Sequence, residues 1–313
     1  MPEWLIERGI GETRAALVED GRIIEARIIR AGVICAGTIL EARLKTVGRN
    51  AVAVADGAEY LLPKGAAGVT EGATLYIEVT REDLGGVEPW KRALARATEE
   101  EPRAAFPLDG RELVFPGPED ELEAAGWSDL LDEARSGIIE FPGVELRVSL
   151  TPAMTLVDVD GHLPAAQLAV AGAAAAAKAI RRHGIGGSIG IDLPTVAGKS
   201  ARQEAALAID AHLPQPFERT AVNGFGFLQI IRPRRHASLF ELAADRAPFE
   251  ARILLRRASR EIGAIRLVAH PAVIAELNRR PGWLDQLSRH TGGLVTLRGE
   301  PSLAMAAGHA TRA

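Results

Sequence analysis

Short apolar runs of strand length, interrupted by polar residues and glycine-containing turns, fill residues 13–30 and 37–80, and the pattern then changes. Residues 13–30 (TRAALVEDGRIIEARIIR) predict a hairpin turning at Asp20-Gly21, a dipeptide suited to a two-residue turn with positive φ. Residues 37–80 carry short runs (TILEARLKTVG, NAVAVAD, EYLLP, LYIEVT) separated by glycine-containing turns, the rhythm of a small five-stranded barrel of the OB type. Residues 89–101 (PWKRALARATEEE) predict a helix with Pro89 at its start, and residues 105–143 read as irregular and acidic with one short helix around Trp127. From Val144 to about Arg235 the apolar runs become continuous, with strand-like TLVDVDG and GGSIGIDLP joined by the helical PAAQLAVAGAAAAAKAIRRHG. The chain then predicts helix 248–262, strand 264–269, helix 271–279, a short helix near Trp283 and strand 294–298, a small α/β domain.

Strand, crossover helix and strand form a βαβ unit, whose two strands run parallel and adjacent, about 4.8 Å apart. Asp158 and Asp160 stand at the tip of the first strand and Asp192 at the tip of the second. Open α/β sheets bind ligands at that carboxyl edge. Two carboxylates side by side repel unless a cation lies between them, and Mg²⁺ takes one or two carboxylates completed by water and phosphate. The spacing alone leaves a second reading equally open, in which strand-end aspartates only cap the helices that follow.

Composition narrows the class. With 313 residues, 47% hydrophobic and 25% charged, the chain has room for two or three domains with real cores. A net charge of −4 advertises no global basic field, so a nucleic-acid surface would have to be local. Charge is segregated: Glu99 to Glu133 is acid-heavy and Arg232 to Arg260 strongly basic. Cys35 is the single cysteine, which excludes an internal disulfide and a cysteine-rich zinc site and fits a reducing cytoplasm. The alanine tract contains Gln167 and Lys178 and is followed by two arginines, so it reads as a buried helix and not a membrane span.

Glycine patterns add little. Gly184, Gly186, Gly187 and Gly190 precede a strand, whereas a dinucleotide fingerprint follows one. Gly198-Lys199-Ser200 follows a strand, but a P-loop requires glycine where Leu193 stands; Lys199 at a helix start remains a candidate phosphate contact beside its plain reading as a solvated lysine.

Taken in order, LVDVDG, GGSIGIDLP and TAVNGFGFLQIIRPR resemble the catalytic region of the ribonuclease E/G family. In that likeness Asp158 and Asp192 match the two metal-binding aspartates and Asp160 takes the place of an orienting asparagine. The resemblance implies an α/β (α+β) fold with a ribonuclease-H-like and DNase-I-like catalytic core, an inserted OB-fold barrel and a small carboxyl-terminal α/β domain. Its divisions would be residues 1–36 and 81–143 (ribonuclease-H-like segments), 37–80 (RNA-binding barrel), 144–236 (catalytic βαβ domain) and 248–313. It implies a cytoplasmic, Mg²⁺-dependent endoribonuclease, with Mn²⁺ as substitute, that cleaves single-stranded RNA with Asp158, Asp192 and Asp160. Candidate RNA contacts are Arg43, Lys45, Arg49 and Tyr60 on the barrel, Lys199, Asn223, and the run Arg232, Arg234 and Arg235.

Departures from the family pattern are specific. The segment after the basic run reads RRHASLFEL without the Cys-x-x-Cys of the family's zinc link, so no structural zinc is expected and any homo-oligomer would not be zinc-bridged. Residues 105–143 offer no clear match to the paired Arg-Thr of the 5′-monophosphate sensor. Asp160 in place of asparagine and the missing zinc link keep an alternative open: an RNA-binding protein on the same scaffold with weak or lost nuclease activity.

Overall fold

The computed structural model describes residues 1–86, 91–106 and 108–312. Strands β1 (Glu3–Gly9), β2 (Glu12–Glu19) and β3 (Arg22–Arg30) open the chain as an antiparallel meander. Asp20 and Gly21 both have positive φ at the β2–β3 turn, as the hairpin required. Next come β4 (Ile39–Thr46), β5 (Ala51–Ala55), β6 (Ala58–Leu62), β7 (Thr74–Arg81) and β8 (Ala93–Thr98), which close into a barrel in the order β4-β5-β6-β8-β7. Alternate side chains of these strands, among them Leu44, Ala53, Leu62, Ile77 and Ala95, fill its interior.

The barrel corrects two expectations. Its closing strand lies beyond residue 80, and Ala93–Thr98 is strand where residues 89–101 predicted helix. Alanine, leucine and arginine favour a helix locally. Here Ala93 and Ala95 point inward while the backbone bonds to β7 on one side and β6 on the other. Closure therefore overrides propensity, because it leaves no open strand edge. Residues 89 and 90 of that expected helix lie outside the described residues.

Beyond the barrel run β9 (Arg111–Leu113), α1 (Glu121–Ala124), α2 (Trp127–Ser136), β10 (Ile138–Phe141), β11 (Val144–Leu150), β12 (Thr155–Gly161), α3 (Ala165–Arg182), β13 (Gly187–Asp192), α4 (Lys199–His212), β14 (Glu218–Arg219) and β15 (Phe227–Arg232). A six-stranded sheet forms in the order β10-β11-β12-β13-β15-β14, with β12 and β13 parallel and the other neighbours antiparallel. Helix α3 packs on it through its alanines, and Gly172 meets Val159 of β12 so closely that a Cβ there would overlap Val159 Cγ1. The remainder comprises α5 (Leu239–Ala244), α6 (Arg246–Ala258), β16 (Gly263–Ala269), α7 (Pro271–Asn278), α8 (Pro281–Thr291), β17 (Gly292–Gly299) and β18 (His309–Arg312), with a three-stranded sheet in the order β17-β16-β18.

The chain divides into two compact units: Met1–Ala31, Gly110–Ser128 and Leu242–Ala313 form one, Gly32–Asp109 and Asp129–Glu241 the other. The first therefore gathers the amino-terminal meander, β9 and the expected carboxyl-terminal α/β domain. Inside it, Glu7 accepts from Arg14 at 2.5 Å and Arg256 at 2.9 Å, Glu12 pairs with Arg14 and Arg252, and Asp120 with Arg256 and Arg260. Arg252, Arg256 and Arg260 of the basic run near 232–260 are thus committed to an ion-pair lattice, in which Arg252 and Arg256 are buried. The second unit holds the barrel and the six-stranded sheet. Among the described residues no helix is long and apolar enough to cross a membrane.

Candidate metal centre

Alternation places the carboxylates. In β12 Val157 and Val159 are buried, while Asp158 and Asp160 face outward on the side opposite α3. In β13 Ile189 and Ile191 are buried and Asp192 ends the strand exposed. Asp158 and Asp192 are direct register partners on the parallel pair, which sets their backbones one strand spacing apart, about 4.8 Å. The chain reverses direction between β11 and β12, so Asp158 also stands opposite Arg147 and Asp160 opposite Glu145.

The electrostatics follow. The Asp158 carboxyl is pushed above its ordinary value, first by partial desolvation and then by the negative charges of Asp160 and Asp192. Arg147 and the backbone N–H of Val159 pull it the other way. Arg147 is itself committed in part to Glu145, its Nε donating at 2.8 Å. This face is therefore acidic: Glu145, Asp158, Asp160 and Asp192 surround Arg147, and Glu140 extends the acidic row beyond Glu145. Among the described residues no group of three or more histidine, cysteine, aspartate or glutamate side chains is gathered as a metal cage. The donor set is a pair of hard, exposed carboxylates whose charges already disfavour each other, a combination that fits Mg²⁺, which keeps most of its waters.

A tight turn flanks the pair. Phe227 is the register partner of Asp192 on the other side, and its half-buried ring lies over Gly190, where any side chain would collide with it. Asn223 builds the turn that precedes it: Oδ1 accepts from Phe225 N at 2.9 Å and Phe227 N at 3.0 Å. The turn is fastened to the segment after Asp192, with Leu193 N donating to Gly226 O at 3.2 Å and Thr195 Oγ1 donating to Phe225 O at 3.0 Å. Asn223 thus belongs to the turn that leads into Phe227, the neighbour of Asp192, and its amide oxygen is occupied by the backbone.

The other candidate contacts separate. Lys199 is the exposed first residue of α4, in the connection that follows Asp192. Arg232 does not join the pair, because β15 runs antiparallel to β13 and places it opposite Gly187, five residues and about 17 Å along the strand from Asp192. Its Nη1 donates to Ile185 O at 3.3 Å, Arg234 is ion-paired with Glu241, and the Arg235 carbonyl accepts from Glu82 N at 2.8 Å. A cavity of about 320 Å³ at this far end is lined by Lys91, Met154, Gly187, Arg234 and Glu241. Sequence proximity of the arginines to Asn223 was misleading because an extended strand separates its two ends.

On the barrel, Arg43, Lys45 and Arg49 are exposed along β4 and its turn. Arg43 Nε donates to Gly72 O at 2.8 Å, and Lys45 Nζ lies 2.6 Å from Glu59 Oε1, which with Arg92 holds the Glu59 carboxyl below its ordinary value. Tyr60 is corrected: it is 3% exposed within the barrel core and has no face to offer a base.

Two residues beside the pair escaped the sequence reading. Arg147 could be found only from the β11–β12 register, since nothing local marks it. Phe225, 82% exposed, did carry a signal, a bulky aromatic between two glycines in a polar turn. No protein-family model matches this chain, and no curated protein matches it.

Proposed function

We propose that this protein is a metal-dependent endoribonuclease acting on single-stranded RNA, with Asp158 and Asp192 holding a Mg²⁺ ion that Mn²⁺ can replace. The observation that carries the reading is the in-register pairing of Asp158 with Asp192 at the carboxyl ends of adjacent parallel strands. Bound there, the ion would supply an acidified water and offset charge on the scissile phosphate. Asp160, two residues along the same face, would add a third carboxylate that strengthens cation binding, with orientation of the attacking water as the role it would take instead if the metal does not depend on it. Arg147 would balance part of the face's charge. The five-stranded barrel would serve as an OB-type RNA-binding module and the six-stranded sheet as a DNase-I-like catalytic core, following the resemblance to the ribonuclease E/G family. By the same resemblance the products would carry a 5′-phosphate and a 3′-hydroxyl.

Incubation with Mg²⁺ and a labelled single-stranded AU-rich RNA tests the reading. Asp158→Asn and Asp192→Asn should each abolish cleavage with circular dichroism unchanged, and the double variant should be little worse than either single, because the two residues act as a unit. Retained Mg²⁺-dependent cleavage in either single variant overturns the assignment. The alternative, an RNA-binding protein with lost cleavage, is favoured by the carboxylate of Asp160 where the resembled family has asparagine. It predicts RNA binding without product in the wild-type protein.

A further inference from the structure

Phe225 is the most exposed of the described aromatic residues, at 82% against 41% for Phe106. Leaving such a ring in water forgoes the stabilisation that burial would bring. The backbone carrying it is nevertheless held from every side. Asn223 Oδ1 receives the N–H groups of Phe225 and Phe227, Thr195 donates to the Phe225 carbonyl, and Asn223 N donates to Phe227 O at 3.0 Å. Gly226, at φ +95°, packs so closely on the Leu193 carbonyl that a Cβ would overlap it. Thr195 and Leu193 belong to the segment that leaves Asp192, so the backbone that carries the ring is fastened to the end of β13.

The neighbouring face carries Glu140, Glu145, Asp158, Asp160 and Asp192 around Arg147. Such a face repels a phosphate backbone, so beyond a metal ion and the exposed Lys199 at the start of α4, a hold on RNA there favours uncharged contacts. The described arginine run lies at the other end of β13 and cannot supply it. An aromatic ring meets that need: stacking uses the π-face common to all bases and carries no charge. The geometry points to Phe225 as a stacking platform for an unpaired nucleobase next to the scissile phosphate, making unstacked single-stranded RNA the preferred substrate form. This rests on the reading of the aspartate pair as an RNA-cleaving centre.

The test pairs protein and RNA changes. Binding of a labelled single-stranded oligoribonucleotide is followed by fluorescence anisotropy in Ca²⁺ with wild type, Phe225→Leu and Phe225→Trp, and cleavage is followed separately in Mg²⁺. A series of oligonucleotides carries one abasic position each. Phe225→Leu should weaken binding about tenfold, within the lower half of the range for one stacked base. Phe225→Trp should keep the affinity and show additional tryptophan quenching on RNA addition. At one abasic position the difference between wild type and Phe225→Leu should vanish, locating the stacked base.

Equal affinity of wild type and Phe225→Leu, or a difference that persists at every abasic position, overturns the inference. Wild-type cleavage that depends on Asp158 together with unchanged Phe225→Leu affinity sinks the platform and leaves the nuclease reading standing. Phe225-dependent binding without cleavage does the reverse. A wild-type protein that neither binds nor cleaves the RNA overturns both. Because the side chain is solvent-exposed, an unaltered circular dichroism spectrum in Phe225→Leu excludes misfolding as the cause of a loss.

Discussion

Asp158 and Asp160 share a strand and a face but not a neighbour. Asp158 meets Asp192 on one side and Arg147 on the other, whereas Asp160 meets Glu145. The first is therefore placed to share an ion, and the second adds negative charge next to it. Removing that charge while keeping the shape should weaken cation binding: Asp160→Asn is expected to bind Mn²⁺ several-fold more weakly in calorimetry while retaining single-turnover cleavage at saturating metal. Unchanged Mn²⁺ affinity with complete loss of cleavage would instead assign Asp160 to water orientation. Both aspartates were legible from TLVDVDG, since strand alternation alone dictates which residues share a face. Tyr60 was not: a tyrosine in a short strand satisfies a core and a binding surface equally well, and only the closed barrel shows which side it faces.

At the scale of elements, α3 sets the position of β12. Its Gly172 admits Val159, the residue between the two outward aspartates. Gly172→Ala should cost about 1–3 kcal/mol in urea denaturation, because an overpacked contact must push helix and strand apart. The same variant should raise the Mg²⁺ concentration needed for half-maximal cleavage, and an unchanged denaturation midpoint would refute the close packing. A second tie lies at the other end of α3, where His183 is fully buried. Its Nε2 is 3.0 Å from Glu133 of α2, which also pairs with Arg182, its Nδ1 is 3.1 Å from Ala179 O, and its ring packs on Phe240 of α5.

Burial, aided by Arg182, pushes the His183 pKa below its ordinary value against the pull of Glu133. The unfolded chain then takes up a proton that the folded protein resists, so His183's contribution to stability is present above about pH 6.5 and falls as the pH drops below it. The melting temperature should decrease between about pH 7.5 and pH 5.5, and decrease less in His183→Gln. An identical slope in both proteins would remove His183 from the account.

Across the whole molecule, the amino-terminal meander and the last seventy residues belong to one unit, joined by buried charges. Glu7, 2% exposed, serves both Arg14 of its own sheet and Arg256 of α6. Deleting it leaves two buried guanidiniums short of a partner, so Glu7→Ala should cost about 3–5 kcal/mol. Added salt should rescue little of this, since buried pairs are poorly screened. A loss within the range of a surface pair would mean that the lattice contributes far less than its burial implies. The absence of cysteine after Arg235 leads to a separate expectation: EDTA should not change the molecular mass in light scattering. A chelator-driven fall in mass that zinc reverses would show that non-thiol ligands bridge the protein.

Some of this was written in the one-dimensional pattern. Short apolar runs between turns, the Asp20-Gly21 turn and the alanine-rich crossover determined the hairpin, four of the barrel strands and the βαβ unit, because each depends on residues close together in the chain. The Asp158–Asp192 pairing followed from them, since a crossover helix leaves adjacent parallel strands with their tips together. What the pattern could not settle depends on partners distant in sequence. Ala93–Thr98 becomes a strand because two distant strands offer it hydrogen bonds. Arg252, Arg256 and Arg260 become structural because Glu7, Glu12 and Asp120 pair with them. Arg232 leaves the site because β15 is antiparallel, and Phe225 enters it because a capped turn fastens it to the end of β13. Local sequence encodes which face a side chain takes along its own element; only the assembled fold decides what stands opposite it.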